Sequence, residues 1–253
     1  MTADEKQRIA GFLDLAGDFL ASGYRSAHRD CQFEDDKVSR AGEETMAVAE
    51  GGSTQAGGNC SGNSLDQIAS EIRACRNCPL GSTRTNAAPG EGVSSPLVLV
   101  IGEGPGAEED AQGRPFVGRA GQLLDRMLSS IELSRNTNCF IANVVKCRPP
   151  NNRDPYPEET ASCARFLERQ ITLLNPKFIL VAGRIAAQTL LKTTEPIGKL
   201  RGKFRELTVG DVTYPLFVVY HPAALLRNED LKRPTWEDLK LLRLRIEELN
   251  GVN

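Results

Sequence analysis

The chain contains no run of eighteen or more apolar residues, so nothing in it reads as a membrane-spanning helix. Its opening, MTADEKQR, lacks the charged-then-apolar pattern of a secretory signal. A cytoplasmic location with no membrane partner is therefore expected. Histidine is scarce: there are two in 253 residues, and neither stands at metal-ligand spacing from a cysteine pair. That suggests an all-cysteine metal site. Large apolar side chains are few over residues 30–64, which are rich in Gly, Ser, Glu and Asp and contain Gly51-Gly52 and Gly57-Gly58. Such a segment cannot bury enough surface to fold, and a disordered linker is expected there.

With 40% hydrophobic residues, the chain is long enough to bury a sizeable core, and residues 65–253 are expected to form one domain. Residues 1–29 precede the linker; within them Ile9, Phe12, Leu13, Ala16, Phe19 and Leu20 recur at helical spacing and predict a short amphipathic helix. Charge divides along the same boundary. Residues 1–64 hold 6 Lys+Arg and 11 Asp+Glu, net −5, whereas 65–253 hold 25 and 22, net +3. The acidic total thus conceals a mildly basic domain, and nucleic acid remains an admissible partner.

Seven cysteines in a reducing compartment are better read as ligands or free thiols than as disulfides. Four fall in two separated pairs, Cys75-x2-Cys78 and Cys147-x15-Cys163; Cys31, Cys60 and Cys139 are read as free. Four thiolates suit tetrahedral zinc or a [4Fe–4S] cluster, and their spacing does not choose between the two.

From Ser64 a helix is expected to about Ala74, and an α/β alternation follows. Apolar runs at Pro96–Ile101, Cys139–Val145, Lys177–Ala182 and Tyr214–Tyr220 read as strands; 120–131, 157–174, 184–192 and 235–249 read as helices. This alternation predicts an α/β fold with a mostly parallel central sheet and helices on both faces. Open sheets of this kind bind ligands beyond the carboxyl ends of their strands. Three polar motifs fall there. Gly102-Glu103-Gly104-Pro105-Gly106-Ala107-Glu108-Glu109-Asp110, followed by Gly113-Arg114-Pro115-Phe116-Val117-Gly118, superficially fits a dinucleotide fingerprint, but its three successive carboxylates would repel a pyrophosphate. Asn143 ends a strand before Cys147-Arg148-Pro149-Pro150-Asn151-Asn152-Arg153, and His221-Pro222-Ala223-Ala224-Leu225-Leu226-Arg227-Asn228 follows another. Taken singly, each reads equally as a turn; together they aim Glu103, Asn143 and His221 at one edge.

In sequence and order the GEGPGAEED and GRPFVGRAG segments, NVVKCRPPNNRDP and HPAALLRN resemble the motifs of the iron–sulfur, family 4 uracil-DNA glycosylases. The resemblance covers roughly residues 65–250, and the four cysteines match that family's cluster ligands. Gly104, and the absence of a histidine after Lys199-Leu200-Arg201-Gly202-Lys203-Phe204, set the chain apart from the branch that traps its product.

The resemblance implies a monomeric enzyme that flips uracil out of single- or double-stranded DNA and hydrolyses its glycosidic bond. It implies a [4Fe–4S] cluster on Cys75, Cys78, Cys147 and Cys163. Phe116 would stack on the base, Asn143 would read its edge, and Glu109 would exclude a 5-methyl group. His221 would donate to the departing base, with the Glu103-Gly104 turn and Asn152 beside the attacking water. Arg148, Arg153 and Arg227 would suit phosphates. Two other classes of reading stay open on residues alone: a non-catalytic DNA-binding or damage-sensing protein on this fold, and a zinc-stapled nucleotide-binding protein.

Overall fold

A computed structural model describes residues 64–250. The helix expected near the N-terminus, and all but the last residue of the linker, lie outside the described residues. Six strands form one sheet in the order β1-β3-β2-β4-β6-β5: β1 (Glu91–Gly92), β2 (Val98–Gly102), β3 (Cys139–Asn143), β4 (Phe178–Ala182), β5 (Phe204–Val209) and β6 (Val212–Val219). β3, β2, β4 and β6 run parallel, and β1 and β5 add to the two edges antiparallel. The expected mostly parallel α/β sheet is present.

The two edge strands were not foreseen. β1 is two residues long, and β5 alternates exposed with half-buried positions, so neither presents the continuous apolar run by which the central strands are recognised. β2, β3 and β4 are buried along their whole length.

Alternation within each strand assigns the two faces of the core. Val98, Val100, Phe178, Leu180, Phe217 and Val219 pack beneath Leu123, Leu124, Met127 and Leu128 of the Arg119–Ser129 helix and Leu239 and Leu242 of the Lys232–Asn250 helix. Leu99, Ile101, Ile179, Val181 and Val218 face the opposite way, onto Leu167, Ile171 and Leu174 of the Pro157–Leu174 helix and Ala186 and Ala187 of the Arg184–Leu191 helix. The Leu65–Ala74 helix begins at Ser64, whose hydroxyl accepts from the Gln67 N–H at 3.1 Å. It buries Ile68 and Ile72 against Phe166 and is tied to the Pro157–Leu174 helix by the Glu71–Arg169 ion pair. Among the described residues no helix is long and apolar enough to cross a membrane.

Because β2, β3, β4 and β6 are parallel, their carboxyl ends lie on one edge, and the loops after Gly102, Asn143, Ala182 and Val219 meet there. After the first of these loops comes a short helix, Ala107–Gln112, and then the Arg119–Ser129 helix, whose Leu124 packs on the sheet. Leu124→Ala, at a fully buried position, is expected to cost about 2–5 kcal/mol, measured as the shift in urea unfolding against the wild type.

Candidate active site

A cavity of about 500 Å³ opens at that edge, and its wall includes Glu103, Gly104, Glu109, Phe116, Asn152 and His221. Asn143 stands off the wall, 1% exposed. Its position follows from the register of β2 and β3, which sets Asn143 beside Gly102. A Cβ on Gly102 would lie 2.5 Å from both Asn143 Oδ1 and Phe116 Cζ, so the amide and the ring converge on a bare Cα. Neither Nδ2 nor Oδ1 of Asn143 has a hydrogen-bond partner among the described residues. An orphaned buried amide costs about 1–3 kcal/mol, and an arrangement that tolerates it calls for a ligand.

Phe116 sits at φ 53, in left-handed space that a bulky residue rarely adopts. Three features hold it there. Arg135 donates to its carbonyl at 2.8 Å. Gly121 leaves the room that a Cβ, 2.0 Å from that carbonyl, would take. Glu109 accepts at Oε1 from the Val117 and Gly118 N–H groups, at 3.0 and 2.9 Å, and at Oε2 from Gly106 at 3.1 Å. The Glu109 carboxylate therefore stitches the Gly104-Pro105-Gly106 turn to the loop carrying the ring, a role that its sequence position did not disclose.

His221 caps the Pro222–Arg227 helix, and its Nδ1 accepts from the Ala223 N–H at 3.1 Å. Since a backbone N–H can only donate, the neutral imidazole must carry its proton on Nε2. Burial lowers the His221 pKa to about 4, assisted by the positive charge of Arg227, so the ring is neutral at physiological pH. It lies 5.6 Å from the Phe116 ring, centroid to centroid. Glu103 is displaced in the other direction. Burial, then the Asp154 carboxylate, raises its pKa to about 7, with Arg184 and Arg227 opposing. Asn152, in the left-handed region at φ 54, is exposed at the mouth and accepts from Arg148 Nε at 2.8 Å. Arg153 is committed to a two-pronged pair with buried Glu159 at 2.7 and 2.8 Å.

Cys75, Cys78, Cys147 and Cys163 line a second, smaller cavity and form no disulfide. Arg84 donates to Cys147 Sγ at 2.8 Å and, through its other contacts, binds the carbonyls of Ile72 and Cys75. Burial raises the Cys147 thiol to about 11, opposed by the Arg84 guanidinium, and moves Cys163 the same way, opposed by Lys146. No group of three or more His, Cys, Asp or Glu among the described residues is arranged to hold one metal ion. Cys139, buried in β3 with its thiol raised to about 12, takes no part.

Sequence reasoning passed over Lys146 and Gln170. Lys146 is fully buried and donates to the Asn143 carbonyl at 2.8 Å and Gln170 Oε1 at 2.7 Å, while Gln170 Nε2 donates to the Pro89 carbonyl at 2.8 Å. Its signal was a lysine directly after an apolar strand exit.

Comparison with known proteins identifies the family. The profile of the Uracil DNA glycosylase superfamily matches residues 89–240. The chain is 43% identical over 182 residues to the type-4 uracil-DNA glycosylase of Saccharolobus solfataricus, covering 70% of this chain and 84% of that protein. It belongs to the uracil-DNA glycosylase superfamily, in the type 4 branch. The type-4 uracil-DNA glycosylase of Thermotoga maritima is 42% identical over 179 residues, 70% of this chain and 91% of its own length. A type-5 uracil-DNA glycosylase from Thermus thermophilus is more distant: 34% over 151 residues, 47% of this chain and 68% of that protein.

The Glu103 shift carries a stability consequence with a definite sign. A carboxyl raised from 4.5 to about 7 keeps its proton in the folded state after the unfolded chain has lost it, so its contribution is complete below 4.5 and disappears as pH rises through about 7. Glu103→Gln, which cannot ionise, is expected to gain stability relative to wild type between pH 5 and pH 8, read from paired urea midpoints. Parallel curves for the two proteins would show that Glu103 is not desolvated in this way.

Proposed function

We propose that the protein hydrolyses the bond between uracil and deoxyribose in DNA, as the first step of base excision repair, with the residues of this cavity in the following roles. The observation that carries the reading is the buried amide of Asn143, unpartnered and adjoining an aromatic ring. A flipped uracil would satisfy both of its atoms: Nδ2 donates to O4, and Oδ1 accepts from N3–H. Cytosine presents the reverse polarity at both positions, so it would leave the amide unpaired. Phe116 supplies a stacking face, and Glu109, pinned in the wall by backbone donors, sits where it could oppose a 5-methyl group.

The bond breaks as negative charge moves onto the base and positive charge onto the sugar. His221, neutral with its proton on Nε2, donates to uracil O2 as that charge develops. Glu103, partly ionised near neutral pH, orients water at the anomeric carbon with the Gly104 backbone, and Asn152 assists from the mouth. Arg227 and Arg184 place positive charge around the opening, where DNA phosphates would pass.

Cys75, Cys78, Cys147 and Cys163 would hold a [4Fe–4S] cluster. Four sulfurs on three chain segments, buried or half-buried around one small cavity, suit soft metal chemistry. When bound, the cluster cross-links those segments. The reading includes action as a cytoplasmic monomer and a catalytic domain over residues 65–253, with 1–29 and 30–64 dispensable for excision.

The test is incubation of purified, brown protein with a uracil-containing single-stranded oligonucleotide, followed by alkaline cleavage at abasic sites; an iron-loaded protein that leaves the strand uncut would overturn the proposal. His221→Ala is expected to slow single-turnover cleavage about a hundredfold or more while sparing much of the binding. Asn143→Asp should lose most uracil excision, because a carboxylate accepts but does not donate, and gain a weak action on cytosine. Elemental analysis should find iron and sulfide in the proportions of the cluster, with both lost in Cys75→Ser; zinc in their place would refute the cluster.

A further inference from the structure

Phe116 is held in an unfavourable backbone conformation, and a single guanidinium reaches the peptide groups that define it. Arg135 lies in the turn before β3, nineteen positions from Phe116, with its side chain 9% exposed. Nη2 donates to the Phe116 carbonyl at 2.8 Å and Nη1 to the Pro115 carbonyl at 3.0 Å. The remaining edge meets Asp125, with Nε 3.0 Å and Nη2 2.9 Å from Oδ1. Nη1 also stands 3.7 Å from Glu91 Oε2, and Glu91 in turn receives both prongs of Arg114, a member of the same loop as Phe116.

Two successive carbonyls caught on one rigid fork fix the plane of the peptide between them and the direction of the next. Relaxation of Phe116 to negative φ would rotate its carbonyl off Nη2 and swing its Cβ, and with it the ring, away from His221. A strained conformation persists only where its surroundings over-determine it. Glu109 holds the N–H groups that follow Phe116, and Gly121 merely leaves space; Arg135 alone grips the carbonyl of the strained residue among the described contacts. Lysine could not replace it, because an ammonium lacks the planar fork that spans two acceptors.

We infer that Arg135 is a positioning residue for base stacking: it locks the Phe116 backbone so that the ring stands ready where the flipped base must lie. This rests on the proposed uracil excision. Because Arg135 would act only through the ring, its importance should vanish when the ring is gone. A merely structural ion-pair network would matter equally with or without it.

The experiment is a double-mutant cycle on the cluster-containing protein, using Arg135→Met, Phe116→Ala and the double variant. Single-turnover excision is measured against the concentration of a uracil-containing single-stranded oligonucleotide. In the wild-type background Arg135→Met is expected to raise the half-saturating concentration about tenfold, with a smaller change in rate at saturation, and in the Phe116→Ala background to change it less than about twofold. Arg135→Lys should not restore the wild-type value. Asp125→Asn removes only the outer anchor of the guanidinium and gives a milder probe if Arg135→Met folds poorly; a loss of about two- to threefold, again absent without the ring, is expected. Equal factors in both backgrounds, or no loss from either variant, would overturn the inference. Failure of the wild type itself to release uracil would instead refute the proposed function, so the two failures are distinguishable.

Discussion

Parallel pairing of β2 with β3, in the register that sets Gly102 beside Asn143, is the constraint on which the rest of the site depends. Pairing does not stop at the strand ends: the Val144 N–H donates to the Gly102 carbonyl at 2.9 Å and the Val145 N–H to the Glu103 carbonyl at 3.0 Å. The loop that supplies Glu103 and the loop that supplies the Asn143 amide therefore leave the sheet zipped together. Side chains alternate across a strand, so a slip of one residue would turn Asn143 to the other face and remove the orphaned amide from Phe116. Continuous burial of β2 and β3 on both faces resists such a slip through packing, and Gly102 resists it through shape, since a neighbour with a Cβ could not admit both the amide and the ring.

The same strand exit joins the pocket to the cysteines. Between Asn143 and Cys147 the chain has no room to wander: Lys146 ties back to the Asn143 carbonyl, and its own carbonyl accepts from the Ala88 N–H at 2.8 Å. A fully buried ammonium is costly unless its donors are matched, and burial lowers the Lys146 pKa to about 8. Gln170 supplies a second acceptor and relays the contact to Pro89, so the long Pro157–Leu174 helix, which bears Cys163, is bonded to the loop that bears Cys147. One short segment thus bears both the orphaned Asn143 amide and Cys147 of the cysteine-lined cavity. Displacing it at either end would disturb the other.

The sequence disclosed most where chemistry and geometry share a period. The central strands were legible because strands buried on both faces must be apolar throughout: the run Lys177–Ala182 became Phe178–Ala182, and Tyr214–Tyr220 became Val212–Val219. The helix expected at 184–192 is Arg184–Leu191, and that expected at 120–131 is Arg119–Ser129. Edge strands escaped notice because exposure removes that signature. Convergence of Glu103, Asn143 and His221 on one edge was expected from strand ends; Glu103 and His221 line the cavity and Asn143 stands behind its wall, whereas Phe116 and the roles given to all four came from family resemblance. What no pattern could show was the use of long polar side chains across the fold. Glu109 was expected only to exclude a 5-methyl group, but it also binds the backbone of a loop eight and nine residues on. Arg135 and Lys146 carried no signal of their partners, because these are set by tertiary path rather than local spacing.

Burial moves Glu103 and His221, both in the cavity wall, in opposite charge senses but toward the same end, because it disfavours ions of either sign. His221 is kept neutral and Glu103 is kept protonated until near pH 7. A charged imidazolium would attract a departing anion more strongly, but desolvation and the Arg227 charge oppose it, and the Ala223 N–H already occupies Nδ1 as a donor to the neutral ring. In the proposed reaction His221 would thus act as an oriented dipole that needs no rearrangement as charge develops, the arrangement that low-dielectric surroundings reward most. Glu103 stands between Asp154, which raises its proton affinity, and two arginines, which lower it. Asp154 is itself ion-paired to Arg184 at 2.7 Å at the exposed mouth. A phosphate drawing Arg184 away from Asp154 would weaken that arginine's help to the Glu103 anion and leave the Asp154 charge less compensated, so bound DNA would favour the protonated carboxyl unless the attacking water, or positive charge on the sugar, offset the change. The charge state of Glu103 is in this way tied to the exposed Asp154–Arg184 pair at the mouth.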